Sequence, residues 1–412
     1  MKVLVVGAGG VGAAFAAIAQ RRPAFERIVL ADVSPERVKS VVAGLGEPGR
    51  FSAERVDASD QENVLGLIRR VQPDAVLNAC DPRFNEPIFE AAFEAGVTYL
   101  DMAMTLSRPH PQQPHVLPGK LLGEQQLAAH ESWEQRGLLA LVGIGVEPGL
   151  SDVFAAYAAQ ELFASIEEVG VRDGADLVVD GYDFAPTFSI WTTIEECLNP
   201  PLIWERERGF YTTAPFSEPE VFEFPEGIGK VECVNVEHEE VVLIPRWVDC
   251  ERVTFKYGLG SEFIDVLRTL HKLGLDSTDP VKVRDVKVAP RDVVAASLPD
   301  PATLGERMTG RTCAGTWVRG TGTDGAPRST YLYHVVDNEY TMREYGSQAV
   351  VWQTAVNPVV ALELLAEGAW KGTGVLGPEA FPPQPFLARL AELGSPHGVK
   401  ELQVEPEGST PS

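Results

Sequence analysis

The stretch KVLVVGAGGVG at residues 2–12 constrains the fold more than any other part of the chain. A run of strand-forming residues stops at a glycine turn, and a helical pattern, VGAAFAAIAQRR, follows at once. Such a strand–turn–helix opens a βαβ unit. Each glycine of the Gly7, Gly9, Gly12 spacing has a physical reason: Gly7 permits the tight turn, Gly9 lets a backbone approach a pyrophosphate, and Gly12 allows close helix packing. Gly10 and Val11 complete the loop, whose helix N-terminus offers free N–H groups and a positive dipole end to phosphates.

The same alternation continues for about 150 residues. IVLADV, FSAERVDAS, DAVLNAC, TYLDMA and GLLALVGIG read as strands two to six, with helical segments between the earlier ones. Asp32 falls at the end of strand two, 20 residues past Gly12, where a carboxylate accepts from ribose hydroxyls and repels a 2′-phosphate. NAD is therefore favoured, while nearby Arg37 leaves NADP open. Asp57 and Ala58 after strand three are placed to bound the adenine. Asn78 and Ala79 after strand four face the nicotinamide half.

VGIGVEPGLSD at 142–152 repeats two glycines of the loop but has Pro148 near the third position. Proline has no N–H to give a phosphate, and no acidic residue closes a following strand. The segment is expected to be a second loop, including Glu147, Pro148 and Gly149, that serves the first site from the carboxyl edge of the same sheet.

The 412 residues suit two or three domains. We expect a Rossmann-type doubly wound parallel sheet over 1–150, and an α+β domain over 151–344 with a mixed, largely antiparallel sheet. The pattern turns helical again over 345–400, and a polar tail spans 401–412. In the second region EEVGVRDG, VECVNV, EEVVLIP, ERVTFKYGLG and STYLYHVVDN read as strands, with EFIDVLRTLHKLGL a helix among them. SRPHPQQPHVLPGK, with its four prolines, reads as a loop and a candidate lid. A net charge of −24 argues against nucleic acid and anionic membranes as partners. Five scattered cysteines without a CxxC suggest neither disulfides nor a metal site. No run approaches 18 apolar residues and no leader pattern opens the chain, so a soluble cytoplasmic protein is expected. H-x-x-x-H, G-x-S-x-G and P-loop patterns are absent from the sequence.

GAGGVG, VLNACDP, EAGVTYLDMA and VGIGVEPGLSD together resemble the saccharopine dehydrogenase family. LPDPATLGERMTGRT, YLYHVVDNE, EYGSQAVVWQTAVNP and LLAEGAWKGTGVLGPEAFPPQPFLARLAELG are similar to its carboxynorspermidine dehydrogenase branch. The resemblance spans nearly the whole chain. It implies NAD(P)-dependent hydride transfer at a CH–NH carbon, a homodimer, 151–344 as the substrate and dimerisation domain, C-terminal helices over 345–400 returning to the first domain, Asp101 at the substrate, and the Glu147–Gly149 loop by the nicotinamide. DGYDFAPTFSIW departs from saccharopine reductases, placing Asp183 where they tend to have a basic residue.

Between Arg172 and Arg206 there is no Lys or Arg, while Asp173, Asp176, Asp180, Asp183, Glu195, Glu196 and Glu205 all occur. A tricarboxylate wants guanidinium forks; a pocket built from this segment wants ammonium groups. The expected substrate is a small amino-acid-derived amine, carboxynorspermidine- or carboxyspermidine-like, with a saccharopine-like molecule as the contrast. Asp101, Glu147, His238 and Lys256 are the candidate bases or clamps, and Tyr182 and Trp191 could stack on an alkylammonium chain. Lysine 6-dehydrogenase-like oxidative deamination and a non-catalytic dinucleotide sensor are the alternatives.

Overall fold

The computed structural model describes residues 1–403, so of the expected polar tail residues 404–412 lie outside the described residues. A seven-stranded parallel sheet carries the N-terminal part, in the order Gly374–Leu376, Leu139–Leu141, Thr98–Asp101, Ala75–Asn78, Lys2–Val6, Arg27–Asp32, Phe51–Arg55. Val3 to Val6 are fully buried because helices cover both faces of the sheet. The strand order reverses between Lys2–Val6 and Ala75–Asn78, and the crevice of an open α/β sheet forms at that switch point.

The chain folds this way for local reasons as well. Ser34 caps the helix Pro35–Leu45 by accepting from Arg37 N at 3.3 Å. Asp60 caps Gln61–Val71 through the N–H groups of Glu62 and Asn63.

The second sheet has nine strands and is mixed. Cys250–Tyr257 runs parallel to Phe163–Ala175, while Phe163–Ala175, Arg311–Gly322 and Pro327–Asp337 pair antiparallel. The C-terminal segment contributes strands as well as the expected helices: Gly374–Leu376 extends the first sheet and Gly398–Glu401 pairs with Pro327–Asp337 in the second. Helix Ala349–Glu367 packs on Gly10–Gln20. Its length and apolar character would suffice to cross a membrane, but 83% of it is buried inside the protein.

One strand reading is corrected. EEVVLIP forms the helix Glu240–Trp247, with Pro245 in its last turns. Val241 to Ile244 are all buried, so the run is apolar on every side, and periodicity cannot then separate a helix from a buried strand. The proline-rich loop between Leu106 and Leu121 holds a single bridge, Arg108 to Lys120. It is fastened to the second region by Ser107 Oγ donating to Glu237 at 2.8 Å and by Thr212 Oγ1 donating to Leu117 O at 3.1 Å.

Candidate functional site

The glycine loop sits at the switch point. Gly7 has φ +105°, and a Cβ there would meet Ala79 O at 2.5 Å; one at Gly12 would meet Gly7 O at 2.0 Å. Gly9 differs: a Cβ on it would meet nothing within 4 Å and would project into open space beside the helix N-terminus. A cavity of about 340 Å³ opens here, bounded by Gly7, Gly9, Asp32, Arg37, Asp57 and Ala58. The donors, the open space and the dipole fit the pyrophosphate and adenosine of a dinucleotide.

Asp32 is buried, its two oxygens accepting from Ala8 N and Ser34 N, both at 2.9 Å. Arg37 stands 3.5 Å from the same carboxylate with its guanidinium largely exposed. Asp57 accepts from the Ser59 hydroxyl at 2.6 Å and its backbone N–H at 3.0 Å, and those bonds hold its carboxyl below the usual range. Asn78 is fixed by Asn85 and Tyr99, and accepts from Cys80 N at 3.0 Å.

Sharing Gly9, Ala79 and Cys80 with the first, a second cavity of about 290 Å³ continues inward. Gly10, Val11 and Asn78 form one wall, and Glu147 and Pro148 the opposite one. The second glycine-containing loop thus faces the first across a single site. Its shape is set internally, with Gly145 N donating to Pro148 O at 2.7 Å and Gly149 at φ +137°.

Asp101 holds that loop to the sheet. Its Oδ1 accepts from Gly143 N at 2.7 Å, its backbone oxygen from Ile144 N at 2.8 Å, and its Oδ2 from Gln126 Nε2 at 2.6 Å. Burial pushes its pKa up to about 7 against those bonds. Met102 and Ala103 line the cavity; Asp101, whose carboxylate is fully occupied, does not. The residue expected at the substrate thus anchors the second loop to the sheet and does not face the cavity. Asp101→Asn keeps an acceptor for Gly143 and is expected to lower kcat/KM by less than about tenfold, the scale of one neutral hydrogen bond, in steady-state assays.

Glu147, Glu196 and Glu239 face this second cavity, and beyond Glu147 and Glu196 a third one, of about 310 Å³, adds Asp173 and Tyr257. No Lys, Arg or His is among the residues lining these two cavities. Burial pushes Asp173 up to about 7 and Glu196 up to about 8, and raises Glu147 well above the carboxylate range, with Asp173 next to it adding to the effect. Glu147 Oε1 and Asp173 Oδ1 are buried and have no hydrogen-bond partner as carboxylates. A proton shared between the two satisfies both, and so does a cation.

Behind this wall lies His238, in the turn between the strand Gly229–Asn235 and the helix Glu240–Trp247. Its ring stacks on Phe255 at 3.8 Å, and Nδ1 is bonded to Glu240. Burial alone would lower its pKa, but Glu240, Glu239 and Glu196 raise it to about 10. The donor atoms of His238, Glu239 and Glu240 lie within 4.8 Å of one another. They are already occupied: Glu239 accepts from Met104 N at 3.0 Å and Glu240 from Ser151 Oγ at 2.8 Å, so the group is an internal ion pair.

Four expected residues stand elsewhere. Lys256 is on the opposite face of its strand from Phe255 and Tyr257, with Nζ 2.9 Å from Glu220, so it clamps no substrate in this cavity. Tyr182 and Asp183 are exposed, the tyrosine ring lying under the Arg307 guanidinium. Trp191 is held between Arg83 at 4.1 Å and Arg291 at 4.7 Å and lines a small side pocket with Glu237 and Glu239. Of the acidic stretch only Asp173 and Glu196 reach the main cavities. Glu239, Glu240 and Tyr257 were not anticipated, although three acids around one histidine in VEHEE were a visible signal.

Comparison with known proteins fits this geometry. The family model described as the saccharopine dehydrogenase NADP binding domain matches residues 3–141, and the saccharopine dehydrogenase C-terminal domain matches 145–395. The chain is 32% identical to a carboxynorspermidine synthase of Vibrio alginolyticus over 98% of both chains. It is 30% identical to a carboxyaminopropylagmatine dehydrogenase of Synechocystis over 96% of both. Its fold matches that of apo saccharopine dehydrogenase (L-Glu forming) from Saccharomyces cerevisiae, with a TM-score of 0.69 at 12% identity, over 98% of this chain and 100% of that one. Glycine loop, facing second loop and full-length matches agree: the chain belongs to the saccharopine dehydrogenase family and is an oxidoreductase using a nicotinamide dinucleotide.

Proposed function

We propose that the protein transfers a hydride between a nicotinamide dinucleotide and the CH–NH carbon of an amine-rich, amino-acid-derived substrate of the carboxy-polyamine type. The observation that carries this is the acid-lined, cation-free cavity continuous with the glycine loop. A buried, unpaired carboxyl pair attracts an ammonium group and repels an added carboxylate. The names of the two relatives, a carboxynorspermidine synthase and a carboxyaminopropylagmatine dehydrogenase, support the same class.

The bound nicotinamide accepts or supplies the hydride. In the oxidative direction the secondary ammonium first gives a proton to a cavity carboxylate. The C–H bond then breaks, its electron pair leaving with the hydrogen, and the nitrogen lone pair closes a C=N bond. Reduction runs the same steps in reverse. Glu147 and Asp173 hold the ammonium groups, and the lid-like loop tied to Glu237 and Thr212 limits water.

Nicotinamide absorbance tests the reading, with NAD and NADP each offered carboxynorspermidine, carboxyspermidine, carboxyaminopropylagmatine, saccharopine and lysine. Turnover of a carboxy-polyamine is the expected result, and turnover of saccharopine alone contradicts it. Ammonia release from lysine would instead select oxidative deamination. Asp32 supports NAD as first cofactor, and exposed Arg37 supports NADP as second. Arg37→Ala is expected to raise the NADP KM at least about tenfold and leave that for NAD unchanged, since a charge-assisted bond to a 2′-phosphate is lost. Assembly as a homodimer through the nine-stranded sheet completes the reading, with light-scattering mass as its check.

A further inference from the structure

We propose that Glu196 is the carboxyl that exchanges the proton of the substrate nitrogen, and that His238, acting through Tyr257, is the positioning residue that controls that exchange. The inference rests on the reaction proposed above for the destination of the proton. Its structural basis is separate.

Glu196 projects from the helix Ile190–Leu198 and lines both inner cavities. Glu147 also lines both, but it faces Asp173, and that pair is the one assigned above to holding the ammonium groups. Glu239 is tied to Met104 N. Glu196 alone of the three has a chain of donors behind it. Its Oε2 accepts from Tyr257 OH at 3.1 Å, and that hydroxyl lies 3.3 Å from His238 Nε2. The His238 ring lies flat on Phe255, 4° from coplanar, with Nδ1 bonded to Glu240 and 3.4 Å from Glu239.

A phenol has one proton to give. With Glu240 and Glu239 holding His238 as imidazolium, both ring nitrogens are donors, and Nε2–H points at the phenol oxygen. The single phenol proton is then left for Glu196, which favours its carboxylate form. A neutral His238 with Nε2 bare could take that proton instead, leaving Glu196 without its donor. The groups facing Glu196 from the surrounding elements are few. His238 and Tyr257 favour its ionised form, while Asp173 on the strand Phe163–Ala175 and Glu239 in the turn oppose it. Burial dominates, and His238 is the cation that restrains it.

In oxidation the Glu196 carboxylate takes the ammonium proton, an N–H bond breaking as an O–H bond forms, which frees the nitrogen lone pair to close the C=N bond as hydride leaves. In reduction hydride reaches the carbon of the iminium first, and the Glu196 carboxylic acid then returns its proton to the amine nitrogen, an O–H bond breaking as an N–H bond forms. The relay lets one side chain serve both directions near neutral pH.

The test has two arms. In the first, kcat/KM for the carboxy-polyamine is followed against pH in both directions. Glu196→Gln is expected to lower it about a hundredfold or more. His238→Gln and Tyr257→Phe are expected to move the limb assigned to Glu196 to higher pH by about one unit, since each removes a group favouring its carboxylate. A uniform fall across pH, with the limb unmoved, would overturn the relay by showing His238 to be merely structural. In the second arm the carboxyl stretch that disappears in Glu196→Gln is titrated by infrared difference spectroscopy in ligand-free protein, with ring-nitrogen shifts reading the charge of His238. The expected midpoint rises in both relay variants, and an unchanged midpoint would overturn the coupling whatever is turned over. If His238→Gln does not fold, Tyr257→Phe, which leaves the ion pair with Glu240 intact, decides alone. Failure of every amine despite dinucleotide binding would overturn the reaction and Glu196's role in it, while the infrared arm would still judge the coupling.

Discussion

Gly9→Ala should fold as stably as the parent and yet lose most of its dinucleotide affinity, whereas Gly12→Ala should lose both. The difference is geometric. At Gly9 a Cβ meets no neighbouring segment within 4 Å and projects into the open space beside the helix N-terminus, where the pyrophosphate is expected. At Gly12 it would lie 2.0 Å from Gly7 O, a backbone atom that cannot turn aside, so the helix Gly10–Gln20 must shift away from its loop. Overpacking of this kind costs about 1–3 kcal/mol. It also moves the helix N-terminus that holds the pyrophosphate. Dinucleotide titration by fluorescence, beside thermal unfolding of the ligand-free protein, checks the pair. We expect affinity to fall at least about a hundredfold in both variants, equivalent to about 2.7 kcal/mol, and the unfolding temperature to fall only in Gly12→Ala.

The second large effect is an inverted dependence of stability on pH. Burial raises Asp101, Asp173, Glu237 and Glu379 to about 7 and Glu196 to about 8. An unfolded chain titrates such groups near about 4. Between those values the folded protein binds more protons than the unfolded one, so stability is fullest below the unfolded values and is lost as pH rises through the folded ones. His238, raised to about 10, acts in the same sense across a higher window. Glu220, lowered beside Arg172 and Lys256, contributes a constant amount there. Thermal unfolding of the ligand-free protein should therefore show stability falling by on the order of a few kcal/mol from about pH 5 to about pH 8. Glu147→Gln removes one member of the buried pair. It is expected to raise the unfolding temperature at the alkaline end and flatten the curve, while lowering kcat/KM for the amine about a hundredfold, as loss of one buried charge partner does. Gain of stability with loss of activity marks a group retained for chemistry.

Much of this was legible in the residues. The glycine loop, the parallel strands and Asp32 follow from local pattern, because each strand, turn and cap is specified within a few neighbours. The second loop is assigned to the first site by Pro148, by the lack of an acidic residue closing a following strand, and by its place on the carboxyl edge of the same sheet. What local pattern hides is which distant segments meet. Strand alternation in RVTFKYG puts Lys256 opposite Phe255 and Tyr257, but only the pairing of that strand with Phe163–Ala175 shows which face carries the site. Asp101 looked like a ligand-edge carboxylate, and its use as an anchor for Gly143 depends on a contact across 42 residues. The helix Glu240–Trp247 hid behind a continuous apolar run, and with it the ion pair that places His238 behind the cavity. The acidic stretch gave the sign of the pocket, while Asp173 and Glu196 were separated from their exposed neighbours only by the fold.

The most direct test of the central claim, that the cavity selects cations, is a calorimetric titration of the NAD-saturated protein with diaminopropane and, separately, with glutarate. The expected result is binding of the diamine with proton release, since its charge displaces the protons shared by the buried carboxyls, and no binding of glutarate. Binding of glutarate with none of the diamine would contradict it.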